Sequence, residues 1–183
     1  IDKEILAQHS AGLIGLSSCL KGEIPSHLRA DQFQRAMQAA AQYRDILGAG
    51  NFFLELQFQG IEEQRVVNNG LLPLARELEM PLVCTNDVHY LRQSDRHPHD
   101  VLLCIGTGKS ISDEKRLRYH GDQFFLKTGE EMWQVFGDYP EALANTVRIA
   151  ERCQVKLKKG EAVAAAEALL QGIDLLKAQQ VAP

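Results

Sequence analysis

Long apolar runs are missing from this sequence. No stretch nears the roughly 18 residues of a membrane-spanning helix, so no membrane contact is expected. A basic excess is missing too: 20 Lys and Arg face 24 Asp and Glu, a formal charge of −4. The chain as a whole therefore lacks an electrostatic footprint for nucleic acid, and little DNA affinity is expected of it by itself. The four cysteines, Cys19, Cys84, Cys104 and Cys153, are scattered, and none forms a CxxC pair. That argues against a disulfide scaffold and suits a reducing, cytoplasmic setting. No secretory leader is visible. No Gly-x-Ser-x-Gly elbow occurs. Gly106 to Ser110 ends in Gly-Lys-Ser, but it lacks the upstream glycine and follows a predicted helix, so it is not a phosphate loop. The chain opens on Ile1 instead of methionine, as a processed product or an excised fragment would. What is there is ordinary globular material, 183 residues with 45% hydrophobic and 24% charged, enough for one domain with a real core.

Patterning predicts alternation of helices and strands in the first half. A short helix fits Asp2 to Ser10, and a buried strand fits 13–18, with Cys19 at its end. Gly22, Pro25 and Ser26 mark a loop. A helix is predicted from Asp31, with Asp31 and Gln34 as an approximate capping box. Phe33, Met37, Ala40, Tyr43 and Leu47 share its inner face, and Gly48 and Gly50 end it. Asn51 to Phe58 is the clearest strand. A helix over 62–79 turns Val67, Leu71, Leu74 and Leu78 inward, with a kink or late start at Pro73. A strand then opens at Pro81 and runs toward Tyr90. This βαβαβ order predicts an α/β fold with parallel strands and right-handed crossovers. The second half reads as mainly helical, with helices near 100–105 and 141–153. A lone strand is possible at 123–127, and Thr128 to Glu131 form a capping box for a helix through Phe136.

The chemistry concentrates where the third strand ends. Residues two apart in an extended backbone point the same way, so Asp87 and His89 are predicted to converge at that strand's C-terminal edge. A carboxylate with an imidazole suits Mn, Fe or Zn, although a turn Asp beside a surface His is the plainer alternative. In parallel α/β folds the C-terminal strand ends share one rim. Cys19 would then join Asp87 and His89 despite about 70 intervening residues, giving a transition-metal set. The alternative for Cys19 is a small buried apolar residue. His97 and His99 lie near the same rim, where a solvated face or a cap suits them better than ligation. The sequence assigns no catalytic residue.

Five blocks, in order, resemble one family. They are Leu13 to Pro25 (LIGLSSCLKGEIP), Asn51 to Gln57 (NFFLELQ), Thr85 to Tyr90 (TNDVHY), His99 to Gly106 (HDVLLCIG) and Tyr139 to Cys153 (YPEALANTVRIAERC). All are similar to stretches of the bacterial DNA polymerase III alpha subunits, replicative polymerases, in the second half of their polymerase-and-histidinol-phosphatase (PHP) domain and its exit toward the polymerase palm. The resemblance implies a partial PHP-type distorted β/α barrel over 1–95. It also implies a helical continuation toward the polymerase palm over 96–157. An alanine-rich helical tail over 158–183 does not align with the family, and its origin is open.

The same resemblance implies a divalent metal (Zn, Mn or Mg) at the barrel rim, with Cys19, Asp87 and His89 among its ligands. Intact clusters in the family accompany 3′–5′ exonuclease or phosphoesterase activity; degraded ones are structural. The family's first His-x-His motif, its intermediate Asp, His and Glu ligands and its palm aspartates have no counterpart here. The chain is thus expected to be an internal piece of a larger enzyme, meeting DNA and other replisome subunits through that parent and inactive as a polymerase alone. A silent scaffold or docking domain, and less readily a free-standing PHP phosphoesterase, are the alternatives.

Overall fold

A computed structural model describes residues 2–155, which fall into two compact units divided between Leu126 and Lys127. The alanine-rich segment read as a helical tail lies outside the described residues. In the first unit three parallel strands, β1 (Gly15–Leu16), β2 (Phe52–Leu56) and β3 (Leu82–Cys84), stand in the order β1-β2-β3. Ahead of them is α1 (Lys3–Gln8), capped by the Asp2 side chain, which accepts from the Ile5 N–H at 2.9 Å. Between β1 and β2 run α2 (Glu23–Arg29) and α3 (Phe33–Leu47); α4 (Glu62–Glu77) joins β2 to β3. The α/β expectation with parallel strands holds.

The centre of the sheet is β2, and all five of its residues are buried. An unbroken Phe-Phe-Leu run is what a strand covered on both faces requires. Ala36, Ala39 and Ala40 of α3 are buried, and Tyr43 from that helix stacks on Phe52 with ring centroids 5.2 Å apart. Val67, Leu71, Leu74 and Ala75 form the inner stripe of α4. Gly70 lets α2 seat against that helix, since a Cβ there would lie 2.9 Å from Leu28 Cδ2.

Several local expectations are corrected. β1 is a two-residue edge strand, not a buried one: Leu13 is 45% and Leu16 36% exposed. The loop expected around Pro25 is instead the helix α2. Pro25 is its third residue, where a missing N–H leaves no intrahelical bond unmade. That helix also explains why Asp31 caps nothing in α3. Asp31 has φ +56 and closes α2: its N–H reaches Leu28 O at 3.1 Å, and the Gln32 N–H reaches His27 O at 2.8 Å. This is the paired C-terminal bonding of a Schellman motif, with Asp in the left-handed position usually given to Gly. α3 consequently starts at Phe33 without a side-chain cap. α4 begins at Glu62 as predicted and runs through Pro73, so the late start is not taken.

Beyond β3 the unit continues with a 3₁₀ turn (Gln93–Asp95) and α5 (Arg96–Thr107), which Gly108 ends at φ +63. The predicted strand at 123–127 is a single parallel bridge, Tyr90 to Phe125. In the second unit, α6 (Gly129–Phe136) and α7 (Pro140–Arg152) pack on each other. The predicted capping box is present: Thr128 Oγ1 accepts from the Glu131 N–H at 3.2 Å, and the Glu131 carboxylate accepts from the Thr128 N–H at 2.8 Å. Among the described residues no helix is long and apolar enough to cross a membrane.

Candidate metal centre

The third strand ends at Cys84, three residues short of Asp87, so the extended geometry assumed for Asp87 and His89 is not the one found. Asp87 instead takes a left-handed backbone, φ +50. The turn is pinned from outside. Gln59 Nε2 donates to Asn86 O at 2.9 Å, and Asn86 Nδ2 donates to Phe125 O at 2.9 Å. The His89 N–H reaches Phe124 O at 2.8 Å. The two side chains nevertheless converge: His89 Nε2 lies 3.3 Å from Asp87 Oδ1, with the side chains 29% and 32% exposed.

Whether that pair suits a cation is a question of bite. Two ligands about 2.0–2.1 Å from one tetrahedral ion stand about 3.3 Å apart. The observed separation matches, so Asp87 and His89 fit a divalent ion as a two-residue chelate. Cys19 does not complete it. It sits half-buried in the turn after β1, and among the described residues no group of three or more His, Cys, Asp or Glu side chains gathers at one point.

Tyr119 packs beside His89. Burial pushes its phenol above the ordinary value, with the nearby Asp87 and Cys19 adding to the shift. Its ring lies 4.3 Å from His89 and 4.9 Å from Phe124, centroid to centroid. The His99 ring is 5.8 Å from His89, and burial, followed by His89 itself, lowers its pKa. His97, by contrast, is exposed.

Sequence reasoning missed Glu55. This carboxylate is buried in the central strand, at the end where both loops emerge. Its Oε2 accepts the Ser18 N–H at 2.9 Å; its Oε1 accepts from Gln57 Nε2 at 2.8 Å and from the Thr85 hydroxyl. A signal was there to read: one acidic residue inside Phe-Phe-Leu-Glu-Leu, where charge is almost never buried without partners. Beside it Gln57 Oε1 is buried and has no hydrogen-bond partner among the described residues.

Comparison with known proteins gives this arrangement a context. The PHP domain family matches residues 1–59. The DNA polymerase III subunit alpha of Treponema pallidum is 48% identical over 157 residues, 86% of this chain and 13% of the relative. That of Borreliella burgdorferi is 44% identical over 153 residues, 84% of the chain and 13% of the relative. That of Mycobacterium tuberculosis H37Rv is 42% identical over 155 residues, again 84% and 13%. The chain thus spans about an eighth of the length of the curated relatives it matches. The parallel sheet with its helices is consistent with part of a PHP β/α fold. By sequence, the chain belongs to the family of bacterial DNA polymerase III alpha subunits, and it includes part of a PHP domain.

Proposed function

We propose that this chain works as part of a DNA-directed DNA polymerase, and that its contribution is a divalent-metal site at the PHP rim, with Asp87 and His89 as its ligands and Cys19 outside the chelate. The observation that carries the reading is the 3.3 Å separation of Asp87 Oδ1 and His89 Nε2 on a pinned turn. The donor set favours Zn or Mn over Mg, because imidazole is a poor partner for a hard ion. A bound ion there would polarise a phosphoryl oxygen and acidify a bound water, the chemistry of 3′–5′ exonuclease or phosphoester hydrolysis. The chain's own residues hold and orient: Asp87 and His89 present their donor atoms, and Tyr119 packs against the imidazole. Primer extension belongs to parts of the parent outside this chain. So do its dealings with DNA and other replisome subunits, since a chain of charge −4 attracts DNA poorly. Residues 1–95 are taken as the barrel portion and 96–157 as the continuation toward the palm.

One observation favours a second reading, in which the domain is a silent scaffold: no three-ligand group gathers among the described residues. Titration of Zn or Mn into the chain and into His89→Ala, Asp87→Ala and Cys19→Ala separates the two. The metal reading expects His89→Ala and Asp87→Ala to abolish measurable binding, and Cys19→Ala to leave it unchanged. Binding unchanged by all three substitutions would discard these residues as the site. An intact parent polymerase that is metal-free and inert as an exonuclease would leave the scaffold.

A further inference from the structure

The pairing of Asp87 with His89 depends on backbone that side chains rarely adopt, Asp87 at φ +50. Such a residue persists only where its surroundings hold it, and such positions cluster at functional sites. One of the holds is a buried amide. Gln59, in the loop between β2 and α4, is 1% exposed, and its Nε2 donates to Asn86 O at 2.9 Å. That oxygen belongs to the peptide joining Asn86 to Asp87, so the bond fixes the plane from which the left-handed residue departs. The tethers from Phe124 and Phe125 hold other atoms of the turn, the His89 N–H and the Asn86 side chain. The Gln59 amide is itself oriented. Gln64, buried in the first turn of α4, donates from Nε2 to Gln59 Oε1, and the Gln59 N–H donates to Gln64 Oε1 at 2.7 Å. With its Oε1 taken by a donor, Gln59 turns its NH2 to the Asn86 carbonyl. Burying two amides costs free energy unless each is bonded, and an apolar pair would fill the space without that cost. What the amides add is direction.

We propose that Gln59 is a positioning residue: by holding the Asn86–Asp87 peptide, in an orientation set by Gln64, it fixes the turn that presents the Asp87 carboxylate and the His89 imidazole at chelating distance. This rests on the metal reading above. It goes beyond that reading in naming a buried pair that touches no ion yet sets the geometry of the two side chains that do. Outer groups that orient ligands commonly change metal affinity about 10- to 100-fold when replaced.

Cobalt(II) is the probe, added to the full 183-residue chain and to Gln59→Met, which keeps the length of the side chain and removes both of its hydrogen-bonding ends. Ligand-field bands report the geometry around the ion. Urea unfolding of each chain sets conditions under which both are folded, so that a loss of stability alone leaves the cobalt affinity where it was. The expected result is affinity lowered about 10- to 100-fold, with shifted ligand-field bands. Affinity and bands equal to those of the parent chain overturn the role of Gln59 while leaving the metal reading intact. A parent chain that takes no cobalt overturns the metal reading, and this inference with it. Should Gln59→Met not fold, Gln64→Glu decides. It is nearly isosteric, suits the first turn of a helix and keeps an acceptor for the Gln59 N–H, but it sets a carboxylate against Gln59 Oε1. The Gln59 amide should then turn its NH2 away from Asn86 O. Weaker cobalt binding supports the positioning role; unchanged binding overturns it.

Discussion

Gly22 should be intolerant of even one methyl group, and the effect should reach Cys19. Its backbone is ordinary, φ −62 and ψ 155, so conformational freedom is not the reason for a glycine here. Proximity is. A Cβ at this position would lie 2.4 Å from Ser17 O and 3.2 Å from Cys19 O. Reaching even 3.0 Å requires the Ser17 carbonyl to retreat by about 0.6 Å, and that carbonyl is backbone with no rotamer to change. The turn it belongs to is closed by the Gly22 N–H bonding Cys19 O at 2.8 Å, and is held to the sheet by the Ser17 N–H on Phe53 O at 3.0 Å. Gly22→Ala therefore overpacks a braced turn, and a cost of about 1–3 kcal/mol is expected. Gly106→Ala is the control. It lies in α5 with nothing within 4 Å of the added Cβ, so helix propensity alone acts, and a gain of about 0.5–1 kcal/mol is expected. Urea denaturation measures both. Thiol labelling of the native chain adds a local readout, because Cys84 and Cys104 are buried and burial pushes the Cys84 thiol up to about 12. Labelling then reads mainly Cys19 and Cys153, and Gly22→Ala should change the rate at Cys19 alone. Equal stability of Gly22→Ala and the parent, with Cys19 labelling unchanged, would refute the close-approach argument.

Two further outcomes are expected. Thr128→Ala removes one half of the α6 capping box and should cost that helix about 1 kcal/mol, seen as faster amide exchange over 129–136, with Thr128→Ser restoring most of it. The second concerns pH. The Arg116 guanidinium, bonded to Asp100 through both oxygens, holds that carboxyl below its usual range. A depressed folded-state value means stability that is present above the ordinary carboxylate pKa and is lost as pH falls through the lower folded one. The parent's urea midpoint should thus fall more steeply than that of Asp100→Asn between about pH 5 and pH 3. Parallel curves would show that the pair contributes nothing to the acid limb.

Much of the fold was legible because its elements are locally self-consistent. Phe52 to Leu56 is apolar enough to be a central strand anywhere, and the inner stripe of α4 repeats at helical spacing. The errors share one cause, which is reading residue type without position. Pro25 looked like a loop signal because proline breaks helix interiors, but in the first turn it costs no hydrogen bond. Asp31 looked like an N-cap because Asp commonly is one; here it takes a left-handed C-terminal position that the helix before it requires. Missing α2 therefore misplaced the start of α3 as well. The edge position of β1 could not be read from Leu-Ile-Gly-Leu, since strand order depends on contacts across the sheet.

The site teaches the opposite lesson, since a right pairing came from a wrong backbone. Alternation along a strand brings residues i and i+2 to one face, and that was the ground for joining Asp87 to His89. The strand stops at Cys84, and alternation does not apply. What replaces it is a left-handed residue at Asp87 and a set of tethers from Gln59, Phe124 and Phe125, all distant in sequence. Local spacing cannot encode such a turn, because the groups that hold it come from other elements. The same logic separates Cys19 from the pair. Strand-end topology places the two loops on one rim, but whether a thiol reaches the chelate depends on side-chain geometry that spacing along the chain does not encode. What joins the loops is a long-range contact, the Glu55 carboxylate that accepts from Ser18 in one and from Thr85 at the start of the other.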